Sequence, residues 1–129
     1  MLTDLLWVGL GGFAGANIRY FLGLWIVNRV GAGFPWNTFA INVTGSFLIG
    51  LLLVLLTERL AVDPAWRLLL VVGFLGGYTT FSSYTFEALQ LVESGDWLRA
   101  LWYVVGSNGL GLLAAFAGMV LGRTVGRVG

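Results

Sequence analysis

Four long apolar runs separated by short polar punctuation organise the chain, and this pattern predicts four membrane-spanning helices. A helix crossing a bilayer needs roughly 20 mostly apolar residues. The first run goes from about Leu5 to Val27, apolar apart from Asn17 and Arg19, and closes in Gly31-Ala32-Gly33-Phe34-Pro35. That stretch is turn chemistry, and Pro35 is suited to open the next helix. The second run covers about Trp36 to Leu56. The segment from Glu58 to Pro64 then reads as a loop ending in Asp63 as N-cap and Pro64 at the first helical position. A third run extends from about Ala65 to Gln90, and Ser94-Gly95-Asp96 supplies a terminating glycine followed by a new N-cap. The fourth covers about Trp97 to Leu121, before a tail with Arg123 and Arg127.

The third run holds a long stretch of poor helix formers, from Gly73 to Thr85, rich in glycine, serine, threonine and aromatics. Its position predicts a helix broken in mid-membrane. Such a break frees backbone carbonyls and amides, tolerated at that depth only where protein buries them or they line a polar cavity. The break is therefore a candidate ion site.

Composition narrows the class. Only 10% of the 129 residues are charged and 58% are hydrophobic, whereas soluble domains carry about 25% charged residues. Four spans and their connections use the whole length, so we read 1–129 as one all-α integral membrane domain, with spans at about 5–27, 36–56, 65–90 and 97–121. The N-terminus carries only Asp4 and lacks a basic n-region, so its apolar run reads as a span rather than a signal peptide. Without cysteine or histidine there is no thiol chemistry, no disulfide and none of the usual zinc, copper or haem ligands. The seven basic residues are all arginine, balanced by six acids, which leaves no basic patch for nucleic acid. A phosphate-cradling glycine loop is also missing, so no nucleotide is expected as an energy source, and an enzyme is the least expected class.

Arginines sort weakly between the two sides. Arg59, Arg67, Arg123 and Arg127 fall on one side and Arg29 and Arg99 on the other. So small a bias permits insertion in both orientations, and two oppositely inserted copies can pair as an antiparallel homodimer with its two-fold axis in the membrane plane.

Polar groups inside the spans are costly and so informative. Arg19 lies on a stripe with Gly11 and Gly15, and is either paired or snorkelling to an interface. Ser46 with Gly50 and Gly118 with Gly122 form similar small-residue pairs, for which close helix packing is sufficient explanation. Thr38 and Asn42 project from one face of the second span. The asparagine amide offers two donors, suited either to an anion or to an interhelical hydrogen bond. Phe81 and Tyr84 share a face of the third span with Ser82 and Ser83 between them. They serve either as core or as rings whose positive edges replace part of an anion's water. Glu87 stands two turns past the break, as an arginine partner, a cation ligand or a rim residue. In the fourth span Tyr103 and Ser107 share a face beside Asn108, forming a hydroxyl track or bonding back to their own helix.

Three motifs carry a family likeness: Gly11-Gly12-Phe13-Ala14-Gly15-Ala16-Asn17-Ile18-Arg19-Tyr20; Asn37-Thr38 through Asn42-Val43-Thr44-Gly45-Ser46-Phe47; and Gly73-Phe74-Leu75-Gly76-Gly77-Tyr78-Thr79-Thr80-Phe81-Ser82. With these the chain resembles the Fluc fluoride channels, also called CrcB, over essentially all four spans. The resemblance implies a fluoride-selective passive channel that exports cytoplasmic fluoride through the inner (plasma) membrane, built as a dual-topology antiparallel homodimer with two pores. It also implies a central structural sodium ion held by the backbone carbonyls of Gly76 and Thr79. By the same likeness Asn42 faces the pore and Phe81 supplies the first ring of a paired-phenylalanine site. Thr38, Ser82, Ser83, Tyr103 and Ser107 join the polar track, and Arg19 and Glu87 stand near the pore or its entrances. One departure concerns the second ring position, usually phenylalanine in the family and here Tyr84. Its added hydroxyl tightens fluoride binding, narrows the pore or turns toward the polar track.

Two other functions compete. A small multidrug-type proton-coupled exporter also uses four helices in an antiparallel dimer, but needs a glutamate in its first span, where this chain has only Arg19. A non-transporting membrane subunit accounts for the small-residue stripes and leaves Thr38, Asn42 and the Gly76 to Ser83 segment without a purpose.

Overall fold

Local chemistry at each turn determines where the helices stop. The computed structural model describes residues 1–60 and 62–125, so the tail residue Arg127 lies outside the described residues. The first helix, Leu2–Val30, ends with the Gly31 amide donating to the Val27 carbonyl at 2.8 Å. Pro35 directly precedes the second helix, Trp36–Val54, and its carbonyl accepts from the Phe39 amide at 3.1 Å. Ahead of the third passage the Asp63 carboxylate accepts from the Ala65 amide at 2.8 Å, while Pro64 already has helical angles. This is the capping expected of an Asp-Pro start. The third passage ends in a Schellman closure, with the Asp96 amide on the Leu91 carbonyl at 2.9 Å and the Gly95 amide on Val92 at 3.0 Å. Gly95 takes the left-handed conformation that this closure needs, at φ 80°. The last helix is Trp97–Val125.

Four helices, Leu2–Val30, Trp36–Arg59, Ala65–Glu93 and Trp97–Val125, are long and apolar enough to cross a membrane, and all regular structure among the described residues is helical. The chain is a multi-pass membrane protein. Large apolar side chains such as Leu101, Leu112 and Phe116 point outward from the last helix, as a lipid-facing surface requires.

Small residues decide which helices cross. Lipid tails are as apolar as leucine, so helix association in a membrane depends on close packing rather than on water exclusion. Along the first helix a side chain at Gly11 would collide with the Leu69 carbonyl and one at Gly15 with the Phe74 carbonyl. The third passage answers with Gly73, where a Cβ would stand 2.6 Å from the Val8 carbonyl, and Gly77, at 2.6 Å from that of Gly12. The second and last helices meet the same way, Gly50 against Ala115 and Gly118 against Phe47. Between these crossings Ile41, Leu75 and Tyr78 form the buried apolar centre, with Leu22, Leu48, Leu52 and Phe74 packed against it.

The third passage changes conformation along its length. After Ala65–Arg67 the turns widen to π-type over Leu68–Leu75, and a last turn, Gly76–Tyr78, follows. Thr79 (φ −81°, ψ 158°) and Thr80 (φ −149°, ψ 111°) are extended, and helix resumes over Phe81–Glu93.

Candidate functional site

Two extended residues leave backbone groups that a continuous helix would have satisfied, and side chains take them over. Thr79 keeps a local bond, its amide 3.0 Å from the Leu75 carbonyl. In an unbroken helix the Thr80 amide would donate to the Gly76 carbonyl. Here it donates to Asn42 Oδ1 at 2.8 Å, and Asn42 Nδ2 donates back to the Thr80 carbonyl at 3.0 Å. The asparagine amide thus stands in for a peptide group across from Thr80. The Thr80 hydroxyl accepts from the Ser83 amide at 3.2 Å, which makes it the N-cap of the resumed helix, and donates to Ser83 Oγ at 3.0 Å. Just before the two extended residues Tyr78 is tied down as well, its hydroxyl 2.9 Å from Thr44 Oγ1.

A cavity of about 540 Å³ opens beside this segment. Its lining brings together the site candidates Asn42, Gly76, Thr79, Phe81, Tyr84 and Ser107 with Thr80, with Ser46, read from sequence as a packing residue, and with Asn108, read as the neighbour of Ser107. Every polar group in that lining is neutral. Phe81 and Tyr84 stand with ring centroids 5.6 Å apart. Tyr84 is buried, at 8% exposure, whereas Phe81 is 74% exposed and forms the outer rim. Asn108 Nδ2 donates to the Tyr84 hydroxyl at 2.9 Å, and the Ser107 hydroxyl is buried with no partner among the described residues.

A second cavity, of about 360 Å³, lies on the other side of Thr80, which lines both. Arg19, Thr38, Ser83 and Glu87 belong to this one. The Glu87 carboxylate receives two hydroxyls, Thr38 Oγ1 at 2.8 Å and the Tyr103 hydroxyl at 2.6 Å. Of the roles left open for Glu87, an arginine pair is not the one taken up among the described residues. Tyr103 lines neither cavity but links them, bonded to Glu87 and with its ring 5.2 Å from that of Tyr84. Ser82 is exposed and outside both linings, with its hydroxyl 3.4 Å from that of Thr80.

Thr80 was not among the sequence candidates, and Asn108 was noted only as the neighbour of Ser107. A signal for Thr80 was present, since threonine directly before a helical run is a standard N-cap. Nothing local marked the bond from Asn108 to Tyr84, because Tyr84 lies on another helix. Among the described residues no cluster of His, Cys, Asp or Glu could hold a metal ion. Among the backbone oxygens of this segment, the Gly76 carbonyl has lost its helical donor, the Thr80 amide, to Asn42. Such hard oxygens suit an alkali or alkaline-earth ion rather than a soft metal.

Comparison with known proteins finds relatives along most of the length. The family described as CrcB-like protein, Camphor Resistance (CrcB), matches residues 6–119. A Rhizobium meliloti (strain 1021) protein named fluoride-specific ion channel FluC is 45% identical over 124 residues, covering 96% of this chain and 99% of its own. Proteins of the same name from Acidobacterium capsulatum and Solibacter usitatus are 49% and 52% identical, covering 93% and 90% of this chain and 96% and 95% of their own. With a match over so much of its length, this chain belongs to the CrcB-like protein family.

Proposed function

We propose that the chain is a fluoride-selective passive ion channel of the bacterial inner (plasma) membrane, exporting fluoride down its gradient. The observation that carries the reading is the larger cavity, whose donors, Asn42, Tyr84 and Ser107, are all neutral. Neutral donors and ring edges can replace an anion's water without holding it as a fixed positive charge would, so the ion can enter and leave. The relatives' names support fluoride as that anion.

The unit is a dual-topology antiparallel homodimer with two pores, each cavity closed on its open side by the other copy. Its support is Phe81, a large ring of the cavity wall left 74% exposed by the single chain. The third passage is interrupted at mid-membrane depth, a reading supported by the position of Thr79 midway along Ala65–Glu93. A structural sodium ion sits between the copies, held by the carbonyls of Gly76 and Thr79. Gly76 is exposed and its carbonyl lacks the Thr80 amide, which fits an oxygen left free for a hard cation. The whole chain works as a single transmembrane domain, with Arg19 and Glu87 near an entrance.

Purified protein in liposomes tests the function, with fluoride efflux followed by an ion-selective electrode and chloride as comparison. Fluoride efflux far above chloride efflux is expected, and fluoride efflux no faster than from protein-free vesicles overturns the channel. Drug-driven proton uptake would favour the exporter instead.

A further inference from the structure

The Tyr84 hydroxyl accepts a hydrogen bond from Asn108. Asn108 Nδ2 lies 2.8 Å from the Val104 carbonyl oxygen and 2.9 Å from the Tyr84 hydroxyl. A carbonyl oxygen only accepts, so the Asn108 atom facing it is the nitrogen, whichever way the amide was first assigned. One amide hydrogen goes to Val104 and the other to Tyr84. The phenol oxygen is therefore an acceptor in this bond and keeps its own proton, for which the described residues provide no acceptor. Neighbouring rings hold the phenol in place, Phe81 at 5.6 Å and Tyr103 at 5.2 Å. Tyr84, Asn108 and the unpartnered Ser107 hydroxyl all line the larger cavity.

We propose that Asn108 is a positioning residue for anion passage: by donating to the Tyr84 hydroxyl it turns that hydroxyl's proton into the cavity, where it donates to a small hard anion. Tyr84 then acts as an O–H donor as well as a ring, beside the unspent hydroxyl of Ser107. An O–H whose oxygen already accepts a hydrogen bond is polarised and donates more strongly. Asn108 thus works through Tyr84 and needs no contact with the ion. The proposal rests on the channel reading above.

The test measures the fluoride concentration giving half-maximal efflux from liposomes for wild type, Tyr84→Phe, Asn108→Ser and the double variant. A serine hydroxyl at that position bonds back to the Val104 carbonyl and leaves Tyr84 without its donor. Both single variants are expected to raise the half-maximal concentration by about tenfold, the weight of one hydrogen bond to a charged group. The double variant should match Tyr84→Phe alone, a dependence that a purely structural role for Asn108 does not produce. An unchanged Asn108→Ser, or one whose effect persists in the Tyr84→Phe background, overturns the proposal. Should Asn108→Ser fail to assemble, the ¹³Cζ resonance of Tyr84, assigned by its loss in Tyr84→Phe, decides on wild-type protein. It is expected to shift on adding fluoride, and a silent resonance overturns the proposal. Wild type without fluoride efflux overturns the channel reading and this proposal with it.

Discussion

Asn42 and Thr80 pair amide to peptide, with Thr80 N–H on Oδ1 at 2.8 Å and Nδ2 on the Thr80 carbonyl at 3.0 Å. One side chain therefore satisfies both backbone groups of an extended residue within a helical passage. It does so while lining the larger cavity, so the group that stabilises the interruption also forms part of the candidate path.

Asn42→Asp alters both roles, which efflux and assembly read separately. A carboxylate still accepts from the Thr80 amide, but it cannot donate to the Thr80 carbonyl and places a negative charge in the candidate anion path. Fluoride efflux is expected to fall to the level of empty vesicles while size-exclusion chromatography shows the wild-type assembly. Normal efflux from an assembled variant removes Asn42 from the path.

Tyr84→Phe keeps the ring and removes the hydroxyl. Because Phe81, Asn42 and Ser107 remain in the cavity wall, selectivity for fluoride over chloride should persist while the rate changes. A fall in the fluoride-to-chloride flux ratio would make the hydroxyl part of the filter itself.

Thr38 and Tyr103 both donate to Glu87, at 2.8 and 2.6 Å. Thr38→Val leaves a carboxylate oxygen short of a donor, which costs roughly 1–3 kcal/mol in a buried setting. Thr38→Ser restores the donor. Thermal unfolding in detergent should show a lowered Tm for the valine variant and a near wild-type Tm for the serine variant. Equal Tm values for the two would mean that the hydroxyl bond adds nothing.

Glycine positions differ sharply in what they tolerate. A Cβ at Gly118 meets the backbone of Phe47 and Leu51, whereas one at Gly109 meets nothing within 4 Å. Gly118→Ala should destabilise by about 1–3 kcal/mol through overpacking, and Gly109→Ala should leave Tm unchanged. The reverse order would contradict the crossing of the second and last helices.

Cation exchange tests the proposed sodium site at the Gly76 and Thr79 carbonyls. Long dialysis of the purified protein into a buffer whose only cation is a bulky organic ammonium should lower fluoride efflux, and sodium should restore it. Efflux indifferent to the cation argues against a structural ion.

Much was legible along the chain because the causes are local. Twenty or so apolar residues in a row demand a helix in lipid. Asp63-Pro64 and Ser94-Gly95-Asp96 mark ends through bonds to residues no more than five positions away, and the structure has those bonds. The stripes of Gly11 with Gly15 and Gly118 with Gly122 were readable as packing surfaces for the same reason, since helix periodicity alone puts each pair on one face.

What the tertiary structure decided is which faces meet. Periodicity places Thr38 with Asn42 on one face and Tyr103 with Ser107 on another, but it says nothing about the rotation of one helix against its neighbour. Thr38 turned out to meet Glu87, 49 residues away, and Tyr84 to meet Asn108, 24 away. Phe81 and Tyr84, three apart on one helix, ended with one ring outside and one inside because the last helix covers only Tyr84. Sequence by itself therefore determined a four-helix membrane protein and where its turns fall. Only the folded chain decided that Asn42 answers the Thr80 backbone and that Asn108 sets the Tyr84 hydroxyl, since those bonds depend on how helices cross, a relation no single helix encodes.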